Sequence, residues 1–145
     1  MMKLIIFLLF TFPTFLFATI NEELVTDARR GNLFEVKDAI KKGVNVNYKI
    51  DNGFTALMYA SMEGHTDIVK QLLQSGANVN VKNTDGSTAM MFAVSAGQID
   101  IVRLLVTAKA DLTIKNKKGD TALKTAKFID SKEIIELLKK AGAGE

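Results

Sequence analysis

Between residues 51 and 74 the apolar side chains fall into two short clusters separated by glycine and polar residues. The first, Ala56, Leu57, Met58 and Ala60, follows Thr55, whose hydroxyl is placed to cap a helix. Asn52-Gly53 just upstream has turn chemistry. This first helix is expected to end near Gly64, where a positive φ is tolerated. The second cluster, Ile68, Val69, Leu72 and Leu73, has the i, i+1, i+4, i+5 spacing of a single helical stripe. Asp67 in its first turn suits the positive end of the helix dipole, and Gly76 stops it. Ala77–Val81 is expected to run extended into the next turn.

The same arrangement returns every 33 residues. Gly31, Gly64 and Gly97 keep that spacing, as do Gly53, Gly86 and Gly119. Gly43, Gly76 and Gly142 share a third register, with Lys109 in the missing slot. Residues 50–82 and 83–115 are identical at 12 of 33 positions. The third unit repeats Thr88, Ala93, Gly97, Asp100, Ile101, Val102, Leu105 and Val106; the fourth repeats Thr121, Ala126, Glu133, Ile134, Ile135, Leu137 and Leu138. An earlier unit starts at Asn21 and keeps Leu24, Ala28, Gly31, Val36 and Ile40. A fixed period of this size predicts a stack of small like units.

Helices of roughly eight to ten residues do not hold alone in water, so each unit must bury its stripe against its neighbours. Four units at about 10 Å each give a rod of roughly 40 Å. The end units depart as caps should. Glu35 replaces the apolar Ile68 of the second unit, and Lys139-Lys140 close the last helix at its negative end. Phe128-Ile129-Asp130 replaces the inter-helix glycine region of the fourth unit. Lys109 is expected to carry a side chain into left-handed backbone at a small local cost.

These features resemble the ankyrin repeat. The resemblance rests on Thr55-Ala56-Leu57-Met58, Thr88-Ala89-Met90-Met91 and Thr121-Ala122-Leu123-Lys124, with Gly64-His65, Ile68-Val69, Leu72-Leu73 and Gly76-Ala77-Asn78-Val79-Asn80. The proline and histidine of the family's Thr-Pro-Leu-His motif are absent from all three copies. The resemblance covers Asn21 to about Gly144 and implies an all-α solenoid of about four helix-turn-helix units with short β-turn fingers. It divides the chain into repeats at about 21–49, 50–82, 83–115 and 116–145. Exported bacterial ankyrin proteins are the relatives it suggests, some of them associated with oxidative-stress defence or host interaction.

Residues 1–18, MMKLIIFLLFTFPTFLFA, read as a signal peptide: Lys3, an apolar centre holding five phenylalanines, Pro13 and the small Ala18. As helix, Leu4–Ala18 would span about 22 Å, short of the roughly 30 Å hydrocarbon core. An uncleaved anchor is the competing reading. Cleavage would leave 19–145 as an exported domain, periplasmic or secreted, with 18 basic and 16 acidic residues and no membrane attachment. A net charge that mild gives no ground for a nucleic-acid partner.

The chain has no cysteine, which excludes disulfides, a thiol nucleophile and a thiolate metal site. Its one histidine, His65, occupies a position where the repeat uses histidine structurally. Since no nucleophile–base pair and no phosphate loop can be named, the expectation is a non-enzymatic chain without cofactor. Met58, Met62, Met90 and Met91 would suit Cu(I) chemically. Core filling is the plainer reading of them, because Met58 and Met91 hold equivalent slots about 10 Å apart.

Lys49, Lys82 and Lys115 are 33 apart and predict a ladder along the fingers. In proteins the chain resembles, partners are gripped by finger tips and the exposed side of the first helices. Carried over by position, this implies Lys49, Asp51, Asn52 and Phe54 on one finger and Lys82, Thr84, Asp85 and Ser87 on the next. The third finger supplies Lys115, Lys117, Lys118 and Asp120, and the helix ends supply Arg29, Arg30, Met62, Glu63 and Ser95. With Phe54 and Met62 as apolar anchors, the surface is expected to bind an acidic patch on another protein, the chain itself being monomeric. Lysines that merely keep the fingers soluble are the alternative.

Overall fold

The computed structural model describes residues 19–144. The expected signal peptide at 1–18 lies outside them. Helix α1 covers residues 19–30 of the described chain. It is followed by α2 (Leu33–Lys41), α3 (Ala56–Glu63), α4 (Thr66–Gln74), α5 (Ala89–Ser95), α6 (Ile99–Thr107), α7 (Ala122–Phe128) and α8 (Lys132–Lys140). No strand occurs among the described residues. The pairs are those the period predicts, and they stack in two layers. In the inner layer α3 packs on α5 and α5 on α7; in the outer layer α2, α4, α6 and α8 follow one another.

The apolar stripes meet between the layers in one continuous core. Val69, Leu72, Val102, Leu105, Ile134 and Leu138 are fully buried. Burying each such side chain contributes about 1.5–3 kcal/mol, a gain no isolated pair of short helices could reach. Met58, Met90 and Met91 belong to this core, as the core-filling reading expects. At the ends the pattern becomes polar: the slot of Met58 and Met91 is taken by exposed Lys124, and Glu35 is exposed on α2.

Every described helix from α1 to α8 ends in the same way. At the inner ends the N–H groups of Asn32, His65, Gln98 and Ser131 reach back five residues to carbonyls of the last turn. At the outer ends Val44, Ala77, Ala110 and Ala143 do the same. This closure needs a left-handed residue just before the donor. Gly64 provides it at φ 82°, and Lys109 occupies it at φ 60° as its register predicts. Asp130, at φ 54°, fills the fourth inner slot without glycine, its short polar side chain being one of the few that tolerate the region. The threonine caps are uneven. Thr55 and Thr121 accept from the N–H groups of Met58 and Lys124, whereas Thr88 makes no such bond.

One expectation is corrected. Residues 77–81 do not run straight but turn at 79–80, because Asn78 Oδ1 accepts from the Asn80 N–H at 2.9 Å. The turn frees Asn80 to bridge units, its Oδ1 accepting from the Asp111 N–H at 2.8 Å. Asn47 does likewise toward the Asn78 N–H at 2.7 Å, while Asn21 makes the equivalent bond within the first unit, accepting from the Asn45 N–H at 2.8 Å. Polar side chains thus lock the first three units together outside the apolar core.

Candidate functional site

The connections from outer to inner helices fold into three like fingers. In each, a backbone N–H spans the loop: Ile50 to the Phe54 carbonyl, Asn83 to that of Ser87, Asn116 to that of Asp120. Asn83 Oδ1 also accepts from the N–H groups of Asp85 and Ser87, and Asn116 Oδ1 from those of Lys118 and Asp120. The first finger has Ile50 in that slot, so Asn52 braces Phe54 instead. Fingers are tied sideways as well. The N–H and hydroxyl of Thr84 both donate to the Asn52 carbonyl, and the Lys117 N–H donates to that of Asp85. The three tips form one rigid edge.

Lys49, Lys82 and Lys115 are exposed along this edge, as a ladder requires. Lys49 is not simply solvated: its Nζ donates to the Lys82 carbonyl at 3.1 Å. Thr84, expected to face a partner, has its hydroxyl committed to the neighbouring finger. Phe54 is not an exposed tip. Asn52 and Gly53 turn the chain so that its ring stacks 4.7 Å from Tyr59 and 4.8 Å from Phe92, leaving it half-buried. Arg29 lies 5.3 Å over the Tyr59 ring in a cation–π contact, which extends the aromatic row into the first unit.

Two open clefts flank this row. One, of about 810 Å³, lies among α1, α3 and the first finger; it joins Arg29, Arg30, Asp51, Asn52 and Glu63. Glu22, Thr26 and Tyr59 also line it, with Val25 and Ile50. The other, of about 520 Å³, lies among α5, α7 and the second and third fingers; it joins Asp85, Ser87, Ser95, Lys117, Lys118 and Asp120. Phe92 and Phe128 line it. Lys49, Lys82, Thr84, Lys115, Phe54 and half-buried Met62 line neither cleft.

The charges of the two clefts differ. Glu22, Asp51 and Glu63 face two arginines in the first. In the second, Asp120 pairs with Lys124 at 2.6 Å, and the hydrogen bond from that ammonium holds the Asp120 carboxyl below the usual carboxylate range. Lys117 and Lys118 stand beside this pair, Lys118 also acting on the Asp120 carboxylate, with Asp85 across the cleft.

His65 is structural: its Nε2 lies 3.0 Å from the Arg29 carbonyl, and its ring covers Gly31 so closely that a Cβ there would meet Cε1 at 2.8 Å. Among the described residues no three His, Cys, Asp or Glu side chains are grouped to hold a metal ion. Met58 and Met90 are 1% exposed and Met91 5%, which leaves half-buried Met62 as the most exposed thioether among the described residues. No helix among the described residues is long and apolar enough to cross a membrane.

The ankyrin repeat model matches residues 52–84, and a model of three consecutive ankyrin repeats matches 75–144. The chain belongs to the ankyrin-repeat family. Ankyrin repeats generally serve as protein–protein interaction modules. No curated protein matches the chain.

Within this ankyrin array, several residues of the clefts escape a reading by helix period alone. Tyr59 and Phe92 hold the same slot in neighbouring units, and that recurrence of an aromatic was the available signal. Phe128 shares its slot with Arg29, Met62 and Ser95, so position marks it, although its exposure is visible only in the fold. The bridging asparagines likewise recur at 33, at Asn45, Asn78 and Asp111 and again at Asn47 and Asn80.

Proposed function

We propose that this ankyrin-repeat chain is an exported, monomeric binding module without enzymatic activity of its own. It acts in a periplasm or outside the cell and holds a partner protein on its finger-and-inner-helix face, where basic side chains meet an acidic patch. One observation carries the reading: the two clefts and the aromatic row between them lie on one face, braced by hydrogen bonds between fingers. A preformed, rigid surface loses little entropy on association. Lysines that serve solubility alone would leave the aromatic row and both clefts without a use.

Reversing Lys49, Lys82 and Lys115 to Glu is the test of the charge component. A complex with the native partner weakens markedly if the ladder contributes; an unchanged Kd removes it. Export is tested separately by mass spectrometry of the natural N-terminus. A start near Thr19 supports a free exported protein, and an intact leader supports an anchored one.

A further inference from the structure

We infer that the cleft between α5 and α7 is the primary docking groove, and that its occupant is an extended acidic segment of a partner protein carrying one large apolar side chain. This rests on the finger-face reading above and narrows it to one end of the array.

The charge of the chain is concentrated there. Residues 116–144 hold seven lysines against four carboxylates, whereas residues 50–115 hold five basic against six acidic residues. The ion pair between Lys124 and Asp120 neutralises itself, so Lys117 and Lys118 set the sign of the rim. Such a rim draws in carboxylates and resists a basic segment.

The floor and one wall of the groove are apolar. Met91 is buried beneath it, Phe92 is half-buried, and Phe128 stands 90% exposed at the end of α7. The slot that holds Phe128 in the last unit holds only Ser95 in the unit before, and the small residue leaves room beside the ring. An exposed phenylalanine on the wall of an open cleft of about 520 Å³ offers a partner an apolar anchor. The groove is concave and keeps Asp85 inside. Both features oppose a flat anionic bilayer and suit a chain segment whose amides can reach the carboxylate.

The test is selection of peptides from a random displayed library on the full chain, followed by titration of the selected peptides. The inference expects Asp/Glu-rich sequences around a single aromatic or large aliphatic residue. It expects at least about tenfold weaker binding to Lys117→Glu/Lys118→Glu and to Phe128→Ala, and no more than a twofold change with Lys37→Glu, exposed on the outer helix α2. Ser95→Trp, which fills the gap from an exposed position, serves as a second variant and should also abolish binding. Circular dichroism and Tm of each variant verify folding. Acidic peptides that lose affinity with Lys49, Lys82 and Lys115 reversed, but not with these variants, overturn the groove and retain the finger face. Peptides that bind every variant equally overturn both. No selected peptide, together with binding to phosphatidylserine–phosphatidylcholine vesicles, assigns the lysines and Phe128 to a membrane and overturns the inference.

Discussion

Gly53 and Gly119 occupy the same place in the first and last fingers, at φ 77° and 76°, yet their surroundings differ. A Cβ at Gly53 would lie 2.9 Å from the backbone nitrogen of Thr84 and 3.0 Å from Asn83 Cα, whereas at Gly119 nothing lies within 4 Å. Alanine at either site incurs the left-handed penalty of about 1–2 kcal/mol, offset by about 0.4–1 kcal/mol from the stiffer unfolded chain. Gly119→Ala should therefore lose about 1 kcal/mol. Gly53→Ala must in addition push the second finger away, and with it the two hydrogen bonds from Thr84 to the Asn52 carbonyl at 3.2 and 3.0 Å. At about 1 kcal/mol for each net bond, the total loss reaches about 3 kcal/mol. Urea unfolding followed by far-UV circular dichroism reads the difference of about 2 kcal/mol, and Gly86→Ala should fall between, since its Cβ would sit 3.2 Å from Asn116 Cα. Equal losses at Gly53 and Gly119 would refute the claim that contact between fingers, and not turn geometry alone, stiffens the binding edge.

Other substitutions probe the core, the caps and the charges. Ser61 is fully buried with no hydrogen-bond partner for its Oγ, so Ser61→Ala should stabilise by about 1 kcal/mol and raise Tm; a fall in Tm would mean that the hydroxyl is satisfied. Lys109→Gly relieves left-handed strain and should gain about 0.5 kcal/mol after the added chain entropy, while Gly76→Lys in the equivalent slot should lose stability in the same unfolding assay. Lys124 lowers the carboxyl pKa of Asp120, and Thr113, through its hydroxyl and N–H, lowers that of Asp111. Both groups release protons more readily when folded, so their stabilisation is present above pH about 4 and fades as pH falls through the depressed folded values. Asp120→Asn and Asp111→Asn should each flatten the acid limb of a Tm-against-pH curve, and an unaltered limb would contradict the assignment.

The stack itself was legible because its cause is repetitive. Ile68, Val69 and Leu72 recur as Ile101, Val102 and Leu105, and all are buried as one stripe. The left-handed slot of Lys109 follows from register alone, and its φ is 60°. What escaped was lateral and polar. The turn at 79–80 is a side chain competing with the backbone, a contest that apolar spacing does not report. The finger position of Phe54 predicts an exposed ring, but the ring folds back on Tyr59 and Phe92, which belong to two successive units, and only stacking brings them together. Position in the period also does not report how the inner face divides: Arg29 and Glu63 belong to one cleft, Ser95 and Lys118 to another.

Hydrogen–deuterium exchange on the chain, alone and with a purified binding partner, addresses the binding face most directly. Protection is predicted in the fingers at 50–54, 83–87 and 116–120 and on α5 and α7, with α4, α6 and α8 unchanged. Protection confined to the outer helices would contradict the account.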